Sequence, residues 1–345
     1  MSHSNEREIK KVAITGASGP IGLALVNCLL EADIEILVFQ REISAKKVYF
    51  PQDKRLHIVY WRLEDINCYE PTSSDYDVFF HLGWCNTTAQ FQNDMFLQNK
   101  NVEYTLNAVL LAKKMGCHTF VGIGSQAEIG RFEKPINSMT PCFPETGYGI
   151  AKLCAGQMGR ILANSLEMEF IWDRVLSVYG KYDNIYSVIT STILKSLKGE
   201  NIEVTKGEQI FDLLYVDDAA KAIYYSAKKG ESGKVYTIAS GEERMLKDSI
   251  EIVAELAGAK RNPIFGAVPY RDNQNMYMVG DYSELQSDTG WRPETTFEEG
   301  IKETVRFYKK WIEQKEEEYR ILRKIELDEE RKYRESKSIS SMFNV

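Results

Sequence analysis

The chain has 345 residues, 43% of them hydrophobic and 27% charged, and carries a formal net charge of −7. That apolar content supplies a sizeable core and excludes a mainly disordered or collagen-like chain, while mild acidity without a basic block argues against a nucleic-acid binder. No apolar run approaches the ~18 residues of a membrane span and the N-terminus lacks the apolar core of a signal peptide, so no membrane association and a cytoplasmic location are expected.

In chain order, Lys11 to Gly16 is a short β-rich run ending in glycine, and Pro20 to Leu30 has helix composition with proline in its first turn. Glu35–Phe39, His57–Trp61 and Asp77–His81 read as strands two to four, followed by a helix over about Asn93 to Met115 and a strand at Thr119–Ile123. A helix near Tyr148–Leu166 and a strand at Phe170–Arg174 complete a β-α alternation, which predicts a parallel sheet wound on both faces by helices. Beyond Gly180 the rhythm loosens into a helix near Tyr186–Lys198, strand-like pieces at Ile202–Val204 and Phe211–Tyr215, and a helix at Asp217–Lys229. From about Lys315 the chain turns to Glu, Lys and Arg with sparse apolar residues; residues 315–345 hold eight basic and eight acidic side chains, so the full −7 belongs to the body. Six cysteines without a CxxC and four histidines apart from them predict reduced thiols, with neither a disulfide scaffold nor a metal site.

Two constellations carry chemistry. Gly16, Gly19 and Gly22 stand three apart between the first strand and the first helix. There the first glycine permits a tight turn, the second lets backbone amides approach a pyrophosphate, and the third lets helix pack closely on sheet. Ser18, Pro20 and Ile21 complete that turn. The second strand ends Phe39-Gln40-Arg41 and not in an acid, and a guanidinium suits a 2′-phosphate, so NADP is expected, with NAD the alternative. Tyr148 and Lys152, four apart on one helical face, pair a phenol with a cation that favours the phenolate, and Ser125 ends the fifth strand where it can steady the same oxygen.

With these markers in order, the chain resembles the extended short-chain dehydrogenase/reductase family, in its nucleotide-sugar epimerase/dehydratase branch, from about Lys11 to Trp311. The segments Arg174–Gly180, Tyr215–Asp218 and Asp281 to Pro293 match later family segments. The resemblance implies a Rossmann-type α/β fold: a doubly wound parallel sheet with a smaller α/β substrate-binding cap and a charged C-terminal helical tail. It divides the chain into residues 1–180 for the cofactor (with 215–240 returning to it), 181–214 and 241–312 for the cap, and 313–345 for the tail. It makes Ser125, Tyr148 and Lys152 the catalytic triad. It places Leu82, Gly83, Trp84 and Asn101 along the cofactor with Tyr148 and Lys152, and Leu63 near its adenine. It implies a homodimer through paired helices that include the one bearing Tyr148, and a place in nucleotide-sugar and polysaccharide metabolism.

The departures from the family pattern are equally specific. Gln126 and Ala127 stand where dehydratases carry an Asp-Glu pair, which makes a 4,6-dehydratase unexpected. Of three positions that meet a substrate diphosphate, Arg271 keeps the charge, whereas Ser177 replaces asparagine and Phe211 replaces arginine. With Ser125 and Gln126 these form the expected substrate set, for a nucleoside-diphosphate sugar as substrate. The implied activity is hydride transfer at sugar C4, by a 4-epimerase or a 4-ketoreductase with Tyr148 as acid/base. A non-catalytic NAD(P)-sensing or scaffold protein and a reductase of a non-nucleotide carbonyl are the alternatives. The cofactor assignment is checked by steady-state kinetics: Arg41→Ala should raise KM for NADP(H) by roughly tenfold or more and leave KM for NAD(H) nearly unchanged. An unaltered NADP preference would remove Arg41 from the site.

Overall fold

The computed structural model describes residues 6–42, 50–87, 89–271 and 274–313; the predicted charged tail therefore lies outside the described residues. Its first half alternates as expected: β1 (Lys11–Thr15), α1 (Pro20–Glu31), β2 (Glu35–Gln40), β3 (Leu56–Tyr60), β4 (Val78–His81), α2 (Met95–Lys114), β5 (Thr119–Ser125), α3 (Gly147–Ser165) and β6 (Glu169–Val175). There follow β7 (Ser177–Tyr179), α4 (Val188–Lys198), β8 (Glu203–Val204), β9 (Ile210–Phe211), β10 (Leu213–Tyr215) and α5 (Val216–Lys229). The chain closes with β11 (Val235–Ile238), β12 (Arg244–Met245), α6 (Leu246–Leu256), β13 (Ile264–Phe265), β14 (Tyr277–Met278), α7 (Ser283–Thr289) and a helix α8 over 297–313.

Seven parallel strands form the main sheet in the order β3-β2-β1-β4-β5-β6-β11. The order reverses between β1 and β4, which opens a crevice at their C-terminal ends. Because both faces are covered, each strand reads as an apolar run whose alternate residues point opposite ways. Val12, Ile14, Val38 and Phe80 join the core on the side of α1 and α5; Ala13, Leu37, Phe79 and Phe120 join the core under α2 and α3. On that second side an aromatic row crosses the sheet, Phe39 on Phe79, Phe79 on Phe120, Phe120 on Phe170 and Phe170 on Trp172, at centroid spacings of 6.1, 5.7, 5.6 and 6.0 Å. Phe39 reaches Phe79 across β1 because β1 presents only Ala13 there, in register with Leu37 and Phe79.

The second half departs from the sequence expectation in one place and adds to it in others. Phe211–Tyr215 is not one strand. Asp212 interrupts it, its buried carboxyl accepting from the amides of Ser240 (2.7 Å), Gly241 (2.6 Å) and Gly280 (3.2 Å). Residues before it pair with β12 and β14, and residues after it pair with β7, so the chain must change sheets at this aspartate. The helices α6, α7 and α8 and the seventh strand β11 were not anticipated, although Ile301, Val305, Tyr308 and Trp311 of α8 recur at helical spacing and bury in the same core as α1. α7 packs on α5 and β11, whereas α4 and α6 pack on each other.

Ahead of β1, Arg7 donates to the carbonyls of Ala227 (3.0 Å) and Gly230 (2.7 Å) at the C-terminal end of α5 and pairs with Glu169, so a cation caps the negative end of that helix. Asp173 of β6 is fully buried, with one carboxyl oxygen accepting from Ser226 (2.6 Å) and the other without a partner. Burial holds its pKa well above the ordinary carboxyl value, so the folded protein retains a proton that the unfolded chain releases above about pH 4. Stability contributed by this proton is present at acid pH and lost as pH rises towards the folded pKa. Asp173→Asn is therefore expected to match the parent in Tm near pH 4 and to melt at least ~3 °C higher at pH 8. Equal Tm differences at both pH values, in scanning calorimetry, would refute this.

Candidate active site

The turn after β1 is built by close approach. Gly16 has φ +74°, and a Cβ on it would lie 2.5 Å from the Gly83 nitrogen, so glycine alone lets this turn touch the segment after β4. A Cβ on Gly22 would meet the Gly16 oxygen at 2.5 Å, which fixes α1 against the turn. Gly19 differs: a Cβ there would meet only the Gly16 oxygen, at an ordinary 3.6 Å, so it faces space that the protein leaves open. α1 starts at Pro20 with Gly19 as N-cap, no side-chain cap and no acid in its first turn. Its first amides and its positive end thus remain available to an anion, and the turn fits a dinucleotide pyrophosphate. Ser18, Pro20 and Ile21 are half-buried around the same turn. Leu63 opens a 3-10 turn (Leu63–Cys68) and comes within 3.4 Å of the Cβ position of Gly83, so the structure brings it to the segment Leu82–Trp84. Arg41 follows β2 directly and is exposed.

Behind Gly83 runs a buried polar relay. Thr15 Oγ1 accepts from the Gly83 amide (3.2 Å) and meets His81 Nδ1 (2.8 Å); His81 Nε2 meets Thr105 Oγ1 (3.2 Å), which donates to the Asn101 carbonyl (2.9 Å). Burial, with the Lys152 charge nearby, pushes His81 down to about 3, so it is neutral. Asn101, expected along the cofactor, engages the loop after Gly83: its side chain accepts from the Cys85 amide (2.7 Å) and donates to the Cys85 carbonyl (3.0 Å). It is almost wholly buried and holds the loop after Gly83 in place.

Ser125, Tyr148 and Lys152 come together at the C-terminal edge of β5. Thr146 caps α3 by accepting from the Gly149 amide (3.1 Å), and Tyr148 N donates to the Gln92 carbonyl (2.7 Å). A Cβ on Gly149 would lie 2.1 Å from the Ala127 oxygen, so glycine beside the tyrosine lets α3 press on the turn that carries Ser125. Lys152 is buried, and its Nζ donates to the Ile123 carbonyl (2.7 Å) and lies 3.9 Å from the centre of the Trp84 ring. The Trp84 ring also stands edge-on to Tyr148, with centroids 5.9 Å apart.

Two electrostatic outcomes follow. Burial pushes Lys152 down to about 7, against the attraction of Glu128. Burial likewise pushes Tyr148 up to about 12, although hydrogen bonding with Ser125 works the other way. The spacing of Tyr148 and Lys152 by itself predicts a lysine that favours the phenolate. In the protein by itself desolvation of the phenol dominates, and Tyr148 keeps its proton at neutral pH.

Glu128 and Arg174 are the residues to which sequence reasoning gave no role. Glu128 accepts from the Ser125 amide (2.7 Å), Trp172 Nε1 (3.0 Å) and Arg174 (3.1 Å), and the two charged side chains are only 1% and 3% exposed. A signal existed, because Arg174 follows the strand run Phe170-Ile-Trp-Asp and a charge buried in a sheet demands a partner. Ser177 Oγ lies 4.0 Å from Met278 Sδ, and Phe211 packs on an apolar cluster with Met278, Leu176 and Ile136. Gln126 starts the turn after Ser125, and Arg271 is exposed beyond β13.

Fold and site together define a Rossmann-type protein of the extended short-chain dehydrogenase/reductase kind. More narrowly, a model of the NAD dependent epimerase/dehydratase family matches residues 12–239, and the chain belongs to that family. It is 27% identical over 194 residues to a dTDP-glucose 4,6-dehydratase of Xanthomonas campestris pv. campestris, covering 54% of each chain; the chain thus spans about half the length of the curated relatives it matches. Among solved structures it resembles the UDP-glucose 4-epimerase of Thermotoga maritima with UDP-glucose, at TM-score 0.80 and 23% identity, over 88% of this chain and 99% of that one. It also resembles RMD of Pseudomonas aeruginosa complexed with NADPH, at TM-score 0.75 and 21% identity, over 87% and 99%. At these identities the structural likeness speaks for the fold alone.

Proposed function

We propose that the protein is a nicotinamide-dependent oxidoreductase acting at C4 of a nucleoside-diphosphate sugar, as a 4-ketoreductase or a 4-epimerase. The observation that carries this is the gathering of Ser125, Tyr148 and Lys152 at the edge of β5, close to the open glycine turn. Gly16, Ser18, Gly19, Pro20, Ile21 and Gly22 would hold the pyrophosphate, Leu63 the adenine side, and Leu82, Gly83 and Trp84 the segment after β4. Arg41 favours NADP, although the family name carries NAD. When bound, the nicotinamide supplies a two-electron donor or acceptor.

The chain's own residues do the proton work. Tyr148, neutral at pH 7, is placed to give a proton to a carbonyl oxygen, and this favours the ketoreductase over the epimerase. Ser125 orients that oxygen, and Lys152 supplies positive charge as the phenol loses its proton. The exclusion of dehydration rests on Gln126 and Ala127 alone, because the curated relatives are dehydratases and give it no support. Phe211 in an apolar cluster and Ser177 against Met278 favour a second reading, reduction of a carbonyl without a nucleotide. The intact triad weighs against a purely sensing or scaffold role.

For the division of labour we propose residues 1–180 and 215–240 for the cofactor and residues 181–214 and 241–312 as a cap for the substrate, with α7 siding with the cofactor sheet through α5 and β11. A homodimer through α2 and α3 is supported by exposed Phe96 and Leu110 on α2 and by Ile150, Met158 and Ile161 along one stripe of α3. Light scattering should give a dimer mass for the parent and a monomer mass for Ile161→Asp; a monomeric parent at micromolar concentration would refute the pairing.

Incubation with 4-keto-6-deoxy and ordinary nucleotide sugars separates the activities. Stoichiometric NADPH loss marks reduction, and isomerisation without cofactor turnover marks epimerisation. Tyr148→Phe should lower kcat by about 100-fold or more while cofactor Kd changes by less than about threefold. A variant that keeps most of its kcat would end the acid/base role of Tyr148.

A further inference from the structure

Lys152 is held from two sides by groups outside the triad. Its Nζ donates to the Ile123 carbonyl at 2.7 Å and lies 3.9 Å from the centre of the Trp84 ring, well within cation–π reach. Trp84 is itself fixed, since its Nε1 donates to Gln98 Oε1 (2.9 Å). The buried Gln98 in turn donates to the carbonyls of Asn86 (3.1 Å) and Phe91 (3.0 Å). The other charged or titratable neighbours are Tyr148 on α3, His81 on β4, Glu128 after β5 and, through Glu128, Arg174 on β6. Of these, His81 is neutral and Glu128, which favours the charge from a distance, is engaged by Arg174, so the Ile123 carbonyl and the Trp84 face are the direct contacts that favour charge on the lysine.

We propose that Trp84 is a positioning residue for Lys152: its ring face keeps the ammonium charged and aligned on the Ile123 carbonyl, and so sets how much positive charge Tyr148 faces during proton transfer. Only the last clause rests on the proposed acid/base function of Tyr148.

The test is a titration of the Lys152 side chain by NMR in full-length protein labelled with 13C at lysine Cε and free of ligand, the signal being assigned from a Lys152→Arg sample. Burial places the parent midpoint near 7. Trp84→Leu keeps apolar bulk without a ring face and should lower the midpoint by about 0.5–1.5 pH units, with Trp84→Phe in between. If Trp84→Leu does not fold, tetrafluorotryptophan at position 84 keeps the shape and empties the ring face, and should lower the midpoint as well. An unchanged midpoint in whichever of these folds overturns the proposal, irrespective of activity. The pH profile of sugar oxidation or reduction then separates the two claims: with the midpoint lowered, the limb set by the charge on Lys152 should move to lower pH in Trp84→Leu. A lowered midpoint in a protein without nicotinamide-dependent turnover would retain the Trp84–Lys152 link and reject the proposed function.

Discussion

Glu128 lies at the end of β5 with its carboxyl group shut away from water, and the arrangement of the site depends on how that group is satisfied. It takes the Ser125 amide, the Trp172 indole and the Arg174 guanidinium at once, joining the exit of β5 to β6. A buried carboxylate without these donors would cost several kcal/mol, and Arg174 alone would be equally costly. The pair is thus kept together by desolvation, and Ser125 inherits its position. Trp172 can reach Glu128 because its neighbours are small: a Cβ on Gly122, Gly124 or Gly156 would lie 2.4 to 2.8 Å from the indole. The aromatic row that begins at Phe39 therefore ends under Lys152.

A second buried network meets the first at Lys152. From the glycine turn it passes through Thr15, His81 and Thr105 to Asn101, and from there to the loop carrying Cys85 and Trp84. Each member has hydrogen-bond partners, which makes such a network rigid in a low-dielectric interior. The glycine turn and α3 are consequently coupled through a chain of mostly buried side chains. Burial has opposite uses along this path, leaving His81 neutral and Tyr148 protonated while bringing Lys152 close to its titration point.

Much of the first half was legible in the sequence because its signals are local. Gly16, Gly19 and Gly22 announce a turn by backbone need, the strands announce themselves as apolar runs, and Tyr148 and Lys152 share a helix face by spacing alone. The part of the chain outside the main sheet after β6 was harder to read. Its strands are two or three residues long, and Asp212 divides one of them for partners at Ser240, Gly241 and Gly280, distant in sequence. α8 carried a helical apolar repeat that could have been read. The side-chain hydrogen bonds of Asn101 go to Cys85 and serve loop placement, which no local pattern announces.

What the sequence determined by itself was the class of fold, the glycine turn after β1 and the shared helix face of Tyr148 and Lys152, because each rests on backbone geometry or on residues close along the chain. Tertiary structure alone decided the protonation of the triad and the supports around it. The phenol of Tyr148 is raised and the ammonium of Lys152 lowered by desolvation, which depends on what covers them and not on their spacing. Likewise the Glu128–Arg174 pair and the Trp84 face become visible only when strands and loops 46 and 68 positions apart are brought together.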